Sequence, residues 1–195
     1  MSYAPDAMSD FSSFLTNHFL IAMPMLMDPN FFRTVTYICE HNRDGAMGII
    51  INRPLSITVH EILQQMNIKS SSDILRNQLV FLGGPVQRER GFVIHYPIGN
   101  WESSLVVTDT IAVTTSRDIL QAMADGNGPQ RSLVALGYAG WGAGQLEREI
   151  SGNSWLSGPS DLRILFETPV ERRWYNAALF LGVDMNLISA DIGHA

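Results

Sequence analysis

Cys39 and His41 stand two residues apart in the run VTYICEH, a spacing that puts both on one face of a strand. In such a pair the imidazole takes the thiol proton and leaves a nucleophilic thiolate. The same alternation adds Val35 and Tyr37 to that face, and no third orienting group follows, so the pair reads as core. His60 opens HEILQ, which begins like the zinc-protease pattern HExxH, but Gln64 stands where a second imidazole must lie one helical turn further on. The remaining histidines, His18, His41, His95 and His194, show no ligand spacing, and neither a metal nor a cofactor is expected. A nucleophile elbow of the form G-x-S-x-G is missing; the serine nearest a strand-to-helix junction is Ser116 in TTSRD, which reads as a helix cap. Arg53 and Glu40, near the ends of a predicted hairpin, carry the charges of a substrate clamp.

The stretch GYAGWGAGQLEREI, from Gly137, has the strand, glycine loop and helix of an anion site. Its spacing fits neither G-x-G-x-x-G nor a P-loop, since no Lys-Ser/Thr pair follows. With Gly144 as N-cap, Gln145 is N1 and Glu147 is N3, so the helix supplies its own carboxylate where unpaired N–H groups favour negative charge. The loop therefore reads as a bend rather than a phosphate cradle, with Trp141 inside it. Trp141, Trp155 and Trp174 lie beside turns or polar residues, which predicts exposed interface anchors and a weak homodimer or a partner surface.

Those residues need elements to hold them. TVTYICEHNRDGAMGIIINRP reads as a hairpin that turns at Asn42-Arg43-Asp44-Gly45 and ends at Pro54. ITVHEILQQM carries a capping box, Thr58 with Glu61, and Ile57 can staple to Ile62; a polar loop follows. QLVFLGG, GFVIHY, SLVV and TIAVT are short strands punctuated by Gly83-Gly84-Pro85, Pro97 and Gly99-Asn100. TSRDILQAMADG is a helix from Thr115 or Ser116 to Gly126, SLVALGY a buried strand, and a brief helix spans about 145–150. LRILFE reads as the last strand, and the final helix has Thr168 as N-cap, Pro169 at N1 and Glu171 at N3, with Gly182 past its end. Helices and strands do not alternate strictly, so the class is α+β with a mixed or largely antiparallel sheet.

The 195 residues, 46% hydrophobic, suffice for one substantial core. A formal charge of −6 without a basic run argues against direct nucleic-acid binding. The single cysteine, Cys39, fits a reducing compartment, which makes the cytoplasm the expected location. FLIAMPMLM has no Lys or Arg before it and is too short to span a bilayer, so it is expected to be a buried segment and no membrane association is expected. Residues 1–13 read as a loose tail and 14–195 as a single domain.

Read together, HFLIAMPMLMDPNFFRTVTYICEHNRDGAMGIIINRP, LGGPVQRERGFVIHYP, TTSRDILQAMA, ALGYAGWGAGQLEREI, NSWLSGPSDLRILFETPVERRW and the terminal GHA resemble the bacterial YqgE/AlgH family from about Leu15 to Ala195. Many relatives carry Gly near Asn17 or His18, so the turn there is expected to differ. The resemblance implies a cytosolic α+β protein with a complex bifurcated sheet, part of it curled into a small barrel, surrounded by helices. Some members carry the label of transcriptional regulator; the resemblance assigns no reaction and carries over no catalytic residue. The favoured reading is a non-catalytic protein with a regulatory role that binds an unidentified protein partner or a small effector. Its alternative is an enzyme with a loop-built site around Arg53, Gly84, His95 and Gln145, with Trp141 as a further binding residue. The two differ in whether those groups converge in one concave pocket.

Overall fold

The computed structural model describes residues 14–190; the tail expected over 1–13, His194 and the terminal GHA lie outside the described residues. The chain opens with β1 (His18–Ala22), and the predicted hairpin is β2 (Val35–Asn42) and β3 (Gly45–Ile50), with Asn42 opposite Gly45 across the turn. Only Phe19–Ala22 of the greasy N-terminal run are buried; Met25 and Met27 are 70% and 73% exposed, because Pro24 ends β1 and the chain leaves the sheet. Asn17 takes φ 62° at the turn into β1, a left-handed conformation that asparagine tolerates. Its Oδ1 accepts from Tyr37 Oη and Ser160 Oγ.

β4 (Pro54–Thr58) leads into α1 (Val59–Gln65), whose capping box forms as the sequence predicts: Thr58 accepts from the Glu61 amide and Glu61 reaches back to the Thr58 amide. The polar loop that follows contains a short helix, α2 (Asp73–Asn77), capped by Ser72. Then come β5 (Leu79–Leu82), β6 (Val86–Tyr96), β7 (Ser104–Val106), β8 (Ala112–Thr114) and α3 (Arg117–Ala124). Ser116 is the N-cap of α3, but its hydroxyl donates to Asp118 Oδ1 and does not cap.

β9 (Arg131–Gly142) runs straight through GYAGWG. The predicted glycine loop is thus strand, because Gly137 allows the Gly84 and Val86 backbones to approach, and the bend shrinks to Ala143 and Gly144. Gly144, at φ 68°, is the N-cap of α4 (Gln145–Ser151). β10 (Trp155–Pro159) pairs with β1 and is the true last strand. LRILFE is instead helix α5 (Leu162–Phe166): Asp161 accepts from the amides of Arg163 and Ile164, and this cap overrides a run too short to show its period. α6 (Val170–Phe180) starts one residue later than predicted, with Pro169 as N-cap, because Thr168 is held back on the Arg163 carbonyl of α5. Gly182 follows its end at φ 80°, and α7 (Met185–Ala190) completes the described chain.

The fold is α+β, and its sheet curls into a half-barrel flanked by helices. The strand order is β10-β1-β2-β3-β9-β6-β8-β7, with β5 joining β9 in parallel and β4 in antiparallel fashion. β9 is where the sheet divides. Arg131–Leu136 lie beside β6 and β5, whereas Ala139–Gly142 pair with β3. Gly137, at φ 75°, marks the division; a Cβ there would lie 2.6 Å from the Gly84 carbonyl oxygen. One apolar cluster joins the inner faces of β1, β2, β6 and β9 to α5 and α6, and another lies under α1 and α3. Arg173 of α6 is buried and donates to the carbonyls of Thr168 and Ile51, with its guanidinium 5.3 Å from the Phe81 ring centre. Burial pushes its pKa down to about 10.

Candidate ligand cleft

The residues singled out from the sequence lie in separate places and do not converge in one pocket. Arg53 follows β3, and its Nη2 donates to the carbonyls of Phe32 (2.8 Å) and Pro29 (3.3 Å), so it braces the 28–33 loop. Glu40 lies toward the other end of the hairpin, opposite Met47, and no clamp forms. Gly84 packs on the Tyr138 backbone, where a Cβ would come within 2.1 Å of the carbonyl carbon; its role is steric.

Trp141 and Gln145 meet beneath α4. Glu149 Oε2 accepts from the indoles of Trp141 and Trp155, both at 2.9 Å, and Oε1 accepts from Gln145 Nε2 at 2.8 Å. Gln145 Oε1 in turn accepts from the Gly142 amide. The expected exposure of these tryptophans is corrected: Trp141 and Trp155 are 6% and 4% exposed, since the Glu149 carboxylate satisfies their N–H groups and lets the rings bury. Trp174 is half-buried and donates to the Ala22 carbonyl. Glu147, at N3 as predicted, lies 3.0 Å from His41 Nε2. Cys39 is buried, its thiol pushed upward by desolvation, and it faces the Tyr37 carbonyl instead of the imidazole. Among the described residues no three His, Cys, Asp or Glu gather as a metal site.

His95 stands apart from all of these. It is fully buried on β6; Nδ1 lies 3.0 Å from the Pro97 carbonyl and Nε2 2.8 Å from Thr114 Oγ1. A carbonyl only accepts, so Nδ1 carries the proton and Nε2 is the acceptor. Burial also holds the imidazole pKa below its ordinary value, with the Pro97 hydrogen bond opposing the shift. Thr114 must therefore donate to His95. Ser104 Oγ is 2.6 Å from Thr114 Oγ1, and the proton between them must come from Ser104, since otherwise two lone pairs would face each other at that distance. The Trp101 carbonyl, at 3.5 Å from Ser104 Oγ, is the weaker competitor.

On the opposite face of β6, β7 and β8 from the Ser104, Thr114 and His95 side chains, a cleft of about 550 Å³ lies between β6, β7 and the β3 and β9 strands. Met47, Phe92, Leu105, Val113 and Tyr138 form its apolar walls, and Arg90 and Glu102 are its charged residues. Arg90 is steered by long contacts to Gln87 Oε1 (3.4 Å) and Thr115 Oγ1 (3.5 Å), and its guanidinium sits 5.5 Å from the Phe92 ring centre. The strand bulges here: Val86 and Gly91 pair with Tyr138 and Leu136, and the residues between them bow outward, with Gln87 at φ 47°. Sequence reading flagged His95 but missed Arg90, Glu102, Ser104 and Thr114. No motif spacing links them; the register of β6, β7 and β8 brings them together.

Residues 19–186 match the AlgH-like family profile. A UPF0301 protein of Thioalkalivibrio sulfidiphilus is 60% identical over 184 residues, covering 94% of this chain and 98% of the relative. One of Nitrosococcus oceani is 57% identical over 182 residues, covering 93% and 97%. The solution structure of the AlgH protein from Pseudomonas aeruginosa matches with a TM-score of 0.77 at 45% identity, covering 100% of both chains. A Corynebacterium diphtheriae protein shares the fold, with a TM-score of 0.65 at 16% identity over 83% of this chain and 84% of that one. With its length, its motifs and its fold all matched, the chain belongs to the AlgH-like family.

Proposed function

We propose that this is a cytosolic, non-catalytic regulatory protein that binds a small effector in the cleft walled by Phe92, Leu105, Val113 and Tyr138. The observation that carries this reading is the cleft itself: an apolar wall of Met47, Phe92, Leu105, Val113 and Tyr138 with a few polar groups beside it, Arg90 directed toward Thr115 among them. The buried imidazole on the other face of the sheet makes a poor catalyst. An imidazolium at His95 would face a carbonyl with no carboxylate beside it, in a buried site that already disfavours the charge. A reducing location is consistent with the single buried thiol, Cys39, and no helix among the described residues is long and apolar enough to cross a membrane.

The test is amide chemical-shift mapping with 8-anilinonaphthalene-1-sulfonate as an apolar probe. Saturable shifts confined to residues 90–92, 102–105 and 138 are expected. Shifts elsewhere or none would overturn the reading, as would turnover in a substrate screen that is lost when Arg90 is replaced. A protein partner, or a second copy of the chain in a weak homodimer, is the second reading, favoured by Leu179 and Phe180 of α6, which are 50% and 47% exposed. Light scattering across a concentration series, repeated with Phe180→Ser, tests it.

A further inference from the structure

β6 divides its side chains between two faces of the sheet. Phe92 and Ile94 face the half-barrel core and the cleft, whereas Gly91 and Val93 belong to the face covered by α1 and α3. On that second face a trough of about 440 Å³ runs between the two helices. Val93 and Val134 form its floor; Ile62 and Met66, at the end of α1, wall one side and Leu120 of α3 the other. The floor valines are buried, but Ile62, Met66, Leu120 and Leu136 are only half-buried, so aliphatic surface stays open to water along the trough.

Gly91 keeps the trough open. It stands opposite Leu136, where any other residue would place a side chain over the floor. Its φ lies outside the left-handed region, and the bulge before it takes its positive φ at Gln87. A Cβ built on Gly91 meets no heavy atom within 4 Å, in contrast to Gly137, where it would lie 2.6 Å from the Gly84 carbonyl oxygen. Neither backbone conformation nor packing therefore requires glycine at this position, and glycine weakens a strand. A strand glycine with open space above it, among aliphatic side chains, fits a ligand that approaches the sheet there.

The polar groups of the trough select for nothing polar. Thr114 Oγ1, at the edge of the floor, already donates to His95 and accepts from Ser104. At the rim, Arg117 donates to the Met66 carbonyl at 2.8 Å, and Glu89, of opposite charge, is exposed. One exposed charge of each sign sets no preference for a head group, which leaves the aliphatic walls to do the selecting. Among the described residues the lining holds no aromatic ring, so a chain fills the trough with contacts that a ring does not improve. The floor is recessed between two helices behind a charged rim, which admits a single chain and keeps the flat surface of a bilayer away.

We propose that this trough is a second ligand site, on the opposite face of the sheet from the cleft, and that it takes the alkyl chain of a monomeric single-chain amphiphile such as a medium-chain fatty acid. The site is independent of the cleft. Butyrate, hexanoate, octanoate and 1-octanol are titrated into the full chain and followed by methyl chemical shifts. Octanoate should shift the methyls of Val93, Val134 and Leu136 saturably. Each added methylene should tighten binding by up to about fourfold, the value of one buried CH₂, and 1-octanol should bind within about threefold of octanoate, because exposed rim charges count for little.

Gly91→Val fills the trough. It should raise the urea midpoint, through added burial and a better strand former, and weaken octanoate by about tenfold or more, the cost of overfilling the site. Higher stability joined to lost binding is the signature that a merely structural glycine would not give. Should Gly91→Val fail to fold, Gly91→Ala is read for the same two changes at smaller size. Full octanoate affinity in the folded variant would overturn the proposal, as would affinity that does not change with chain length. Octanoate shifts confined to Leu105 and Val113 of the cleft would overturn it as well. Pelleting with phosphatidylcholine vesicles, without any response to free octanoate, would assign the trough to a bilayer and likewise overturn the monomeric ligand.

Discussion

At the scale of single residues, His95 controls more than its exposure suggests. Its imidazole has no solvent contact, yet its tautomer fixes the direction of two hydroxyls in front of it. Burial depresses its pKa in the folded chain, while the unfolded chain protonates near the ordinary value of about 6.5. In the window between, the unfolded state binds more protons, so His95 contributes stability that is complete above the ordinary value and is lost as pH falls through the folded pKa. Urea unfolding of wild type should therefore lose stability between about pH 7.5 and pH 5 more steeply than unfolding of His95→Gln, whose site does not titrate. Equal slopes would mean that His95 charges at no cost and that the relay is not fixed. His95 was legible as a polar residue on an apolar strand. Thr114 and Ser104 were not, because a short hydroxyl-bearing strand looks the same whether its oxygens face water or one another.

At the scale of elements, α4 shows how a correct local rule can point to the lesser of two carboxylates. Helix-end electrostatics places Glu147 in the first turn, and there it stands, but half exposed and beside His41. With the carboxylate side of the pair open to solvent the ion pair is screened, so Glu147→Gln should cost about 0.3–1 kcal/mol in chemical denaturation. Glu149, two residues further on and so on another side of the helix, accepts from two buried indoles and from Gln145. Glu149→Ala leaves both indole N–H groups without a partner and should cost about 2–4 kcal/mol, from the penalty for each unsatisfied buried donor. A red shift in tryptophan emission should accompany it. If the two variants cost the same, the indoles have found other acceptors and the latch is not what seats α4. Capping chemistry made α1, α3 and α4 legible, with their boundaries near the predicted ones. α5 was read as a strand because LRILFE is too short for either period to show. β10 was passed over because SGP in its sequence looks like a turn until β1 pairs with it.

At the scale of the whole molecule, the α+β class was legible coarsely in the residues, and the bifurcation came only with the family resemblance. Turn residues mark where strands end, but not which strands meet, and the glycines of β9 looked like a loop because their use is non-local. Gly83, Gly84 and Gly137 form one crossing: a Cβ on Gly83 would lie 2.3 Å from the Gly137 carbonyl oxygen, and one on Gly137 would lie 2.6 Å from that of Gly84. At this point β9 passes from its β5 and β6 neighbours to β3. Both halves of the sheet are then parts of one strand and should unfold together, so far-ultraviolet circular dichroism and the fluorescence of Trp141 and Trp155 should trace a single coincident transition. Gly137→Ala tests the crossing, and Gly126→Ala is its control. Both sites have positive φ, 75° and 78°, but a Cβ at Gly126 meets nothing within 4 Å. The control should cost about 1–2 kcal/mol for the left-handed conformation alone. Gly137→Ala should cost at least about 1–3 kcal/mol more, since the added carbon must push rigid backbone apart, and the two probes should separate as the halves lose their shared register. Equal costs, or a Gly137→Ala transition that stays coincident, would show that the sheet is held together elsewhere, with the β1–β10 pairing and the packing of α6 on β1 and β2 as the contacts left to do it.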